Sequence, residues 1–269
     1  KLLVKKEKYF DDWKLGVLPV MAPIFIICLL ILKDNLSTAL MLFTISFALL
    51  FIARFPWKKL LLIMISIMVG ILLFISVQEA FPTLQLSRYQ TWKARIVRLW
   101  EQKQDPSASK VENAQANNAK LAIFNGALIG QGVGDGQLKS YIPEAYADFY
   151  FASFIEEFGL ISGVLLALTY IVLLFRIIKI AFKTEVLFET YLCLGIGIHL
   201  LMQASINMLV CIGFVPVTGQ NMPFLAMGGS ALIMACVSIG IVQSVARANN
   251  KLTATATSFD YNGDEKTDK

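Results

Sequence analysis

The sequence predicts an all-α fold: a polytopic membrane helix bundle with one large extracytoplasmic loop. Three observations lead there. Hydrophobic residues fill 57% of the 269 positions and charged residues 16%, with a mean hydropathy of +0.64; an ordinary globular domain is nearer half apolar and a quarter charged. The apolar residues fall in charge-poor blocks of about twenty, long enough to cross a hydrocarbon core of ~30 Å. Basic residues gather between alternate blocks, the pattern of cytoplasmic loops. The net charge of +5 therefore reads as topology, and no nucleic-acid partner is expected.

Six spans follow in order: 15–33, 36–54, 57–78, 149–175, 186–213 and 223–245. Hydrocarbon leaves no backbone polar group to water, so these blocks are helices rather than open strands. Pro19 and Pro23 suggest a kink in the first. Residues 1–14 form a basic cytoplasmic lead-in containing Lys5, Lys6, Lys8 and Lys14. Arg54, Lys58 and Lys59 separate spans two and three; Arg176, Lys179 and Lys183 separate spans four and five; Arg247 and Lys251 follow the sixth. Opposite turns carry only Lys33. Both termini of this chain are therefore expected in the cytoplasm. Three spans fill 15–78, the outside loop 79–148, three more spans 149–248, and 249–269 reads as a polar, disordered tail. The four cysteines all lie in apolar runs without CxxC spacing, which points to packing rather than disulfides or zinc.

The outside loop holds the chemistry. "LQLSRYQTWKARIVRLW" (84–100) sets Tyr89, Ile96 and Trp100 beside Arg88, Arg95 and Arg98, the pattern of a helix lying in the interface with its cations toward phosphate headgroups. "AKLAIFNGALIG" is too short to span and reads as a re-entrant or interfacial segment. "GQGVGDG" places Gly130, Gly132, Gly134 and Gly136 at alternate positions, where positive φ and close backbone approach come without strain. No βαβ unit surrounds them, so a dinucleotide site is excluded.

Next, "YIPEAYADF" (141–149) sets Glu144 and Asp148 at the mouth of the fourth span, with Glu156 and Glu157 two turns on. Asp148 reads either as a helix cap favoured by the macrodipole or as a functional carboxylate, the default for an ionisable group at a span. His199 is the only histidine, and no Ser–His–Asp or HExxH set can be built around it. In "GFVPVTGQNMPFLAMGGSALI" (213–233), Pro216, Gly219, Pro223, Gly228 and Gly229 break the helix pattern, which at membrane depth marks a buried or cavity-lining segment.

These stretches resemble the SEDS family (shape, elongation, division and sporulation), whose members include FtsW and RodA. The resemblance rests on "GALIGQGVGDGQLKSYIPEAYADFYFASFIEEFGLISG", on "INMLVCIGFVPVTGQNMPFLAMGGSALI" and on "NLSTAL" (35–40). Asn35 stands where an acid is usual, Ser37 where glycine is, Ala147 where a hydroxyl residue precedes the aspartate, and Ala226–Met227 where Ser and an aromatic are usual. Family members have ten spans, so the resemblance implies about six of ten here, with four helices before Lys1. "YIPEAYADF" is nearer the division branch.

The resemblance implies a peptidoglycan glycosyltransferase of the cytoplasmic (inner) membrane, joining lipid II units into glycan strands during cell division. Asp148 would be the general base, and Glu144 would orient the acceptor or a metal. Substrate would be held by Arg95, Arg98, Lys139, Gln115, Gly130, Gly132, Gly134, Asn207, Thr218, Gly219, Gly228, Gly229 and Ser230. No dedicated metal cluster is visible in the sequence; a divalent cation, Mg or Mn, would be shared with the substrate diphosphate. Implied partners are lipid II, membrane lipid, a class B penicillin-binding protein transpeptidase and other divisome membrane proteins. The alternatives are a lipid II flippase, whose site belongs near the bilayer midplane, and a non-catalytic divisome scaffold.

Overall fold

The computed structural model describes residues 1–80, 112–137 and 146–264. Arg95, Arg98, Lys139 and Glu144 lie outside the described residues, as does the whole 84–100 segment.

Every regular element among the described residues is helical. The chain opens with α1 (Leu2–Lys6) and a 3₁₀ turn, Glu7–Tyr9. Asp12 then caps the π turn Trp13–Val17, its Oδ1 accepting the Lys14 N–H at 2.8 Å, and α2 (Leu18–Leu32) continues from it. Pro19 falls in the first turn of α2, where no intrahelical N–H is needed. The basic lead-in is folded onto the bundle: Phe10 is buried, its ring centroid is 4.8 Å from that of Phe55, and Lys59 Nζ donates to its carbonyl at 2.8 Å.

Asn35 caps α3 (Leu36–Ile52), its Oδ1 accepting the Thr38 N–H at 3.1 Å. Pro56 precedes α4 (Trp57–Ala80). Then come α5 (Glu112–Gly126), α6 (Tyr150–Phe182), α7 (Leu187–Ile212) and α8 (Gly229–Asp264). Five helical segments, Trp13–Leu32, α4, α6, α7 and the first part of α8, are long and apolar enough to cross a membrane. The sixth apolar helix, α3, has 17 residues, roughly 25 Å at 1.5 Å per residue. The chain is a multi-pass membrane helix bundle. α2 pairs with α3, α3 leans on α7, and α6 packs on α5, α7 and α8. Much of the apolar surface of α4 faces outward, as expected of a helix in a lipid environment.

The fourth predicted span, 149–175, is in fact two pieces. Within α6, Gly159 adopts φ 85° and ψ 171°, which interrupts the helix. A helix break at membrane depth strands four backbone groups, and each must find a partner in protein. The loop after α5 supplies them. Gln131 and Gly132 N–H donate to the carbonyls of Glu156 and Glu157 at 2.9 and 3.1 Å. In return, Leu160 and Ile161 N–H donate to the carbonyls of Ala127 and Leu128 at 2.9 and 3.4 Å. The re-entrant segment of the sequence reading is thus a helix and loop sewn into a neighbouring helix. The piece from Leu160 to Phe182 is roughly 34 Å long at 1.5 Å per residue, long enough to cross by itself, with Tyr150–Phe158 as a short helix before the break.

Two other boundaries move. α8 starts at Gly229 rather than 223, because the carbonyls of Gln220 and Pro223 are taken by side chains of α7 and α6. At its far end the backbone stays helical to Asp264, where a disordered tail was expected from 249. No glycine or proline occurs between Ile241 and Asn262, and extending an existing helix adds one hydrogen bond per residue fixed.

Glycine is required at the break. Its φ and ψ lie in a region open essentially to glycine alone, and a Cβ at Gly159 would stand 2.4 Å from the Leu128 carbonyl oxygen. Gly159→Ala is expected to cost about 3 kcal/mol or more and to lower the melting temperature of the detergent-solubilised protein sharply. Gly70→Ala, in mid-α4 with nothing within 4 Å of a Cβ, should be neutral or stabilising by up to ~1 kcal/mol. Equal melting temperatures for the two variants would remove the argument.

Candidate active site

Four helix ends meet at one end of the bundle: the starts of α3, α6 and α8 and the finish of α7. Asp148 sits here, in the turn immediately before α6, partly exposed. The N-cap position of α6 is Phe149, whose side chain makes no cap bond, and Asp148 stands one residue before it.

What fixes Asp148 is a buried amide. Asn207, in the last two turns of α7, has no exposed surface. Its Nδ2 donates to the Asp148 carbonyl at 2.8 Å and to the Gln220 carbonyl at 2.9 Å. One NH₂ group has two protons, and here each binds a different loop. The sequence reading made Asn207 a substrate contact. In the fold both amide hydrogens are spent on backbone and the side chain is enclosed, so it aligns the site rather than touching what enters it.

The second loop is Gly213–Gly228. Gly213, at φ 80°, ends α7, with the Phe214 N–H returning to the Leu209 carbonyl at 2.9 Å, a glycine-terminated helix end. Beyond it the chain runs irregularly but stays packed: Met222 and Ala226 are buried with Phe149, Phe151, Ala152 and Ile155 in one apolar cluster, and Val215, Val217 and Phe224 pack against it. The Tyr170 hydroxyl donates to the Pro223 carbonyl. Gly219, at φ 68°, brings bare backbone beside the aspartate; a Cβ there would be 3.8 Å from Asp148 Oδ2.

A third strand of the site comes from α3. The Gln220 side chain, nearly buried, donates from Nε2 to Thr38 Oγ1 at 3.0 Å. Neither Gln220 nor Thr38 was singled out as a site residue in the sequence, although both lie within the quoted motifs. No sequence signal separates them from the polar residues beside them, Ser37 and Asn221. On the other side of Asp148, Tyr146 accepts the Met227 N–H at 2.8 Å through its carbonyl. The unusual Ala226–Met227 pair therefore meets the aspartate turn through the Met227 backbone, and the Met227 side chain is exposed while Ala226 is buried in the cluster.

Other predicted residues distribute unevenly. Thr218 flanks Gly219 and is half-buried, while Gly229 and Ser230 open α8 at the same end and are exposed. Gly228 closes on Asn221, whose Nδ2 would be 2.6 Å from a Cβ at that position. Gln115 lies in the first turn of α5. Gly130 and Gly132 are engaged by the α6 break: a Cβ at Gly130 would stand 2.3 Å from the Glu157 carbonyl oxygen. They fit the loop to α6 rather than offering backbone to a ligand. Gly134, at φ 90°, faces open space. Glu156 is wholly buried, with the Gly136 backbone close against its carboxylate. Among the described residues, no three His, Cys, Asp or Glu side chains gather as a metal site.

Comparison with known proteins bears on the family and the fold. The family model for cell cycle proteins of the FtsW/RodA/SpoVE type matches residues 1–251. A protein of Haemophilus ducreyi named as a probable peptidoglycan glycosyltransferase FtsW is 30% identical over 253 residues, covering 91% of this chain and 60% of that protein. The stage V sporulation protein E of Bacillus subtilis is 29% identical over 249 residues, covering 92% of this chain and 64% of its own length. The chain thus spans about three fifths of the curated relatives it matches. Among solved structures, a chain from work on the structural coordination of polymerization and crosslinking by a peptidoglycan synthase complex superposes with TM-score 0.67 at 24% identity, covering 92% of this chain and 68% of that one. That likeness establishes the fold.

Asn207→Leu keeps the volume but strands two enclosed carbonyls. It is expected to destabilise by roughly 2–4 kcal/mol, visible as a lower melting temperature and faster hydrogen exchange at residues 146–149 and 219–221. Unchanged exchange at those two turns would contradict the clamp.

Proposed function

Since the chain belongs to the FtsW/RodA/SpoVE family of cell cycle proteins, we propose that it carries the catalytic end of a peptidoglycan glycosyltransferase that polymerises lipid II during cell division. The observation that carries this reading is the convergence on Asp148: one amide, Asn207, joins the aspartate turn to the Gly213–Gly228 loop, whose Gly219 backbone lies beside the carboxylate.

The chemistry follows from what a carboxylate can do there. An acceptor sugar hydroxyl is a weak nucleophile, and a base within hydrogen-bond reach takes its proton as attack proceeds. Asp148 accepts that proton. The hydroxyl oxygen forms a bond to the anomeric carbon of the donor, the bond from that carbon to the diphosphate breaks, and the polyprenyl diphosphate departs with the electron pair. A single base and direct displacement invert the anomeric centre, by analogy with inverting glycosidases. Charge growing on the diphosphate calls for cations, a role we assign to Arg95, Arg98 and Lys139. Glu144 orients the acceptor. A divalent cation would be held mainly by the diphosphate itself, and no step is assigned to it.

Bare backbone at Gly219 leaves room for a sugar beside the base. Gly229 and Ser230, exposed at the start of α8, would form the wall across from it. The basic residues at Lys5, Lys6, Lys58, Lys59 and Lys183 belong to the other end of the helices, so the site faces outward from the cytoplasm by the positive-inside rule. A class B penicillin-binding protein is the partner this reading calls for, since new strands need crosslinking. A carrier would hold its lipid near the middle of the spans; Asp148 precedes the first residue of α6, which favours the enzyme.

The test is glycan-strand formation from purified lipid II by the complete protein with its transpeptidase. Asp148→Asn should lower turnover roughly 10²- to 10⁴-fold while leaving melting temperature and partner binding intact. Undiminished strand formation would end the assignment of Asp148 as base.

A further inference from the structure

The hydrogen bond between Gln220 and Thr38 is not needed to hold a helix together. It joins the first turn of α3 to an irregular loop 182 residues away in sequence. Each end has a second attachment. Thr38 also gives its N–H to Asn35 Oδ1 at 3.1 Å, which fixes the start of α3. Gln220 also gives its carbonyl to Asn207 Nδ2, the same nitrogen that grips the Asp148 carbonyl. Gln220, which follows Gly219 directly, is therefore pinned twice: through its side chain to Thr38 and through the carbonyl of its peptide to Asn221, which Asn207 holds. Gly219 is the residue whose backbone lies against the Asp148 carboxylate. Thr38 is partly buried and Gln220 nearly so, so water competes poorly for either group.

We propose that Thr38 and Gln220 are positioning residues, which hold the Gly219 backbone at its working distance from Asp148 by tying the Gly213–Gly228 loop to the mouth of α3. The inference rests on the reading of Asp148 as the base. Neither side chain reaches the reacting atoms; both act through the place they give to Gly219. Because misplacing a reacting group by about 1 Å can cost up to 10²-fold in rate, loss of this tie should appear in kcat rather than in KM.

Turnover of lipid II per folded molecule, and its KM, would be measured in the complete protein with its transpeptidase. Thr38→Val keeps shape and loses the acceptor; Gln220→Met keeps length and loses the donor. Each should lower kcat about tenfold with KM within twofold. Their combination should be no slower than either alone, and Thr38→Ser should restore at least half of wild-type kcat. Adding Thr38→Val to Asp148→Asn should produce no further loss. Multiplying losses in the double variant, a change in KM alone, no rescue by serine, or wild-type kcat in Thr38→Val would each overturn the proposal. Full turnover by Asp148→Asn overturns the base reading first and the tie with it, whereas a dead Asp148→Asn beside a fully active Thr38→Val removes the tie alone. Should Gln220→Met not fold, the valine and serine variants at Thr38 decide the matter by themselves.

Discussion

A backbone amide or carbonyl in hydrocarbon has no water to bind, and the bundle is shaped by where that demand is met outside regular helix. It is met twice. At Gly159 four backbone groups of α6 are exchanged against the loop that follows α5. Between Gly213 and Gly228 the carbonyls of an irregular segment are taken up by Asn207 and Tyr170. Both repairs use partners distant in sequence, so each also locks two parts of the chain into one arrangement. Leaving even one such group unmet would cost several kcal/mol in lipid, which makes the repairs conditions for folding rather than refinements of it.

The candidate site is a product of the second repair. A continuous helix through 213–228 would have satisfied its own backbone and left Asn207 only the Asp148 carbonyl to hold. Because that segment is broken, a single amide can reach the Gln220 carbonyl and the Asp148 carbonyl together. Broken backbone also admits Gly219, whose missing side chain leaves open space beside the carboxylate. The first repair has a related effect: it interrupts α6 at Gly159 and leaves Tyr150–Phe158 as a short piece next to the Asp148 turn. Rigid spans thus surround a site built from the pieces that do not span.

This arrangement explains which departures from the family pattern the fold absorbs. Ala226–Met227 contacts the aspartate turn through a backbone hydrogen bond to Tyr146, and a change of side chain leaves that bond in place. Asn35, standing for an acid, still accepts the Thr38 N–H and caps α3, since asparagine and aspartate cap helices about equally well. Apart from these positions, the Gln220 side chain adds a bond to α3 that an apolar residue in the same place would lack.

Hydropathy and charge determined, without coordinates, that the chain is a membrane bundle, where most spans lie and which loops are basic, because the cost of placing a charge or a bare peptide in lipid is local and applies residue by residue. The motifs also marked Asp148 and the Pro–Val–Thr–Gly loop as one functional region. Tertiary structure alone decided that α6 breaks at Gly159, that Gly130 and Gly132 serve that break, that Asn207 is enclosed, and that Thr38 and Gln220 belong to the site. Each of these depends on a hydrogen bond or a close backbone approach between segments tens to hundreds of residues apart. Periodicity cannot register such a pairing, since a polar residue in an apolar run looks the same whether its partner is a neighbouring loop, a substrate or the next turn of its own helix.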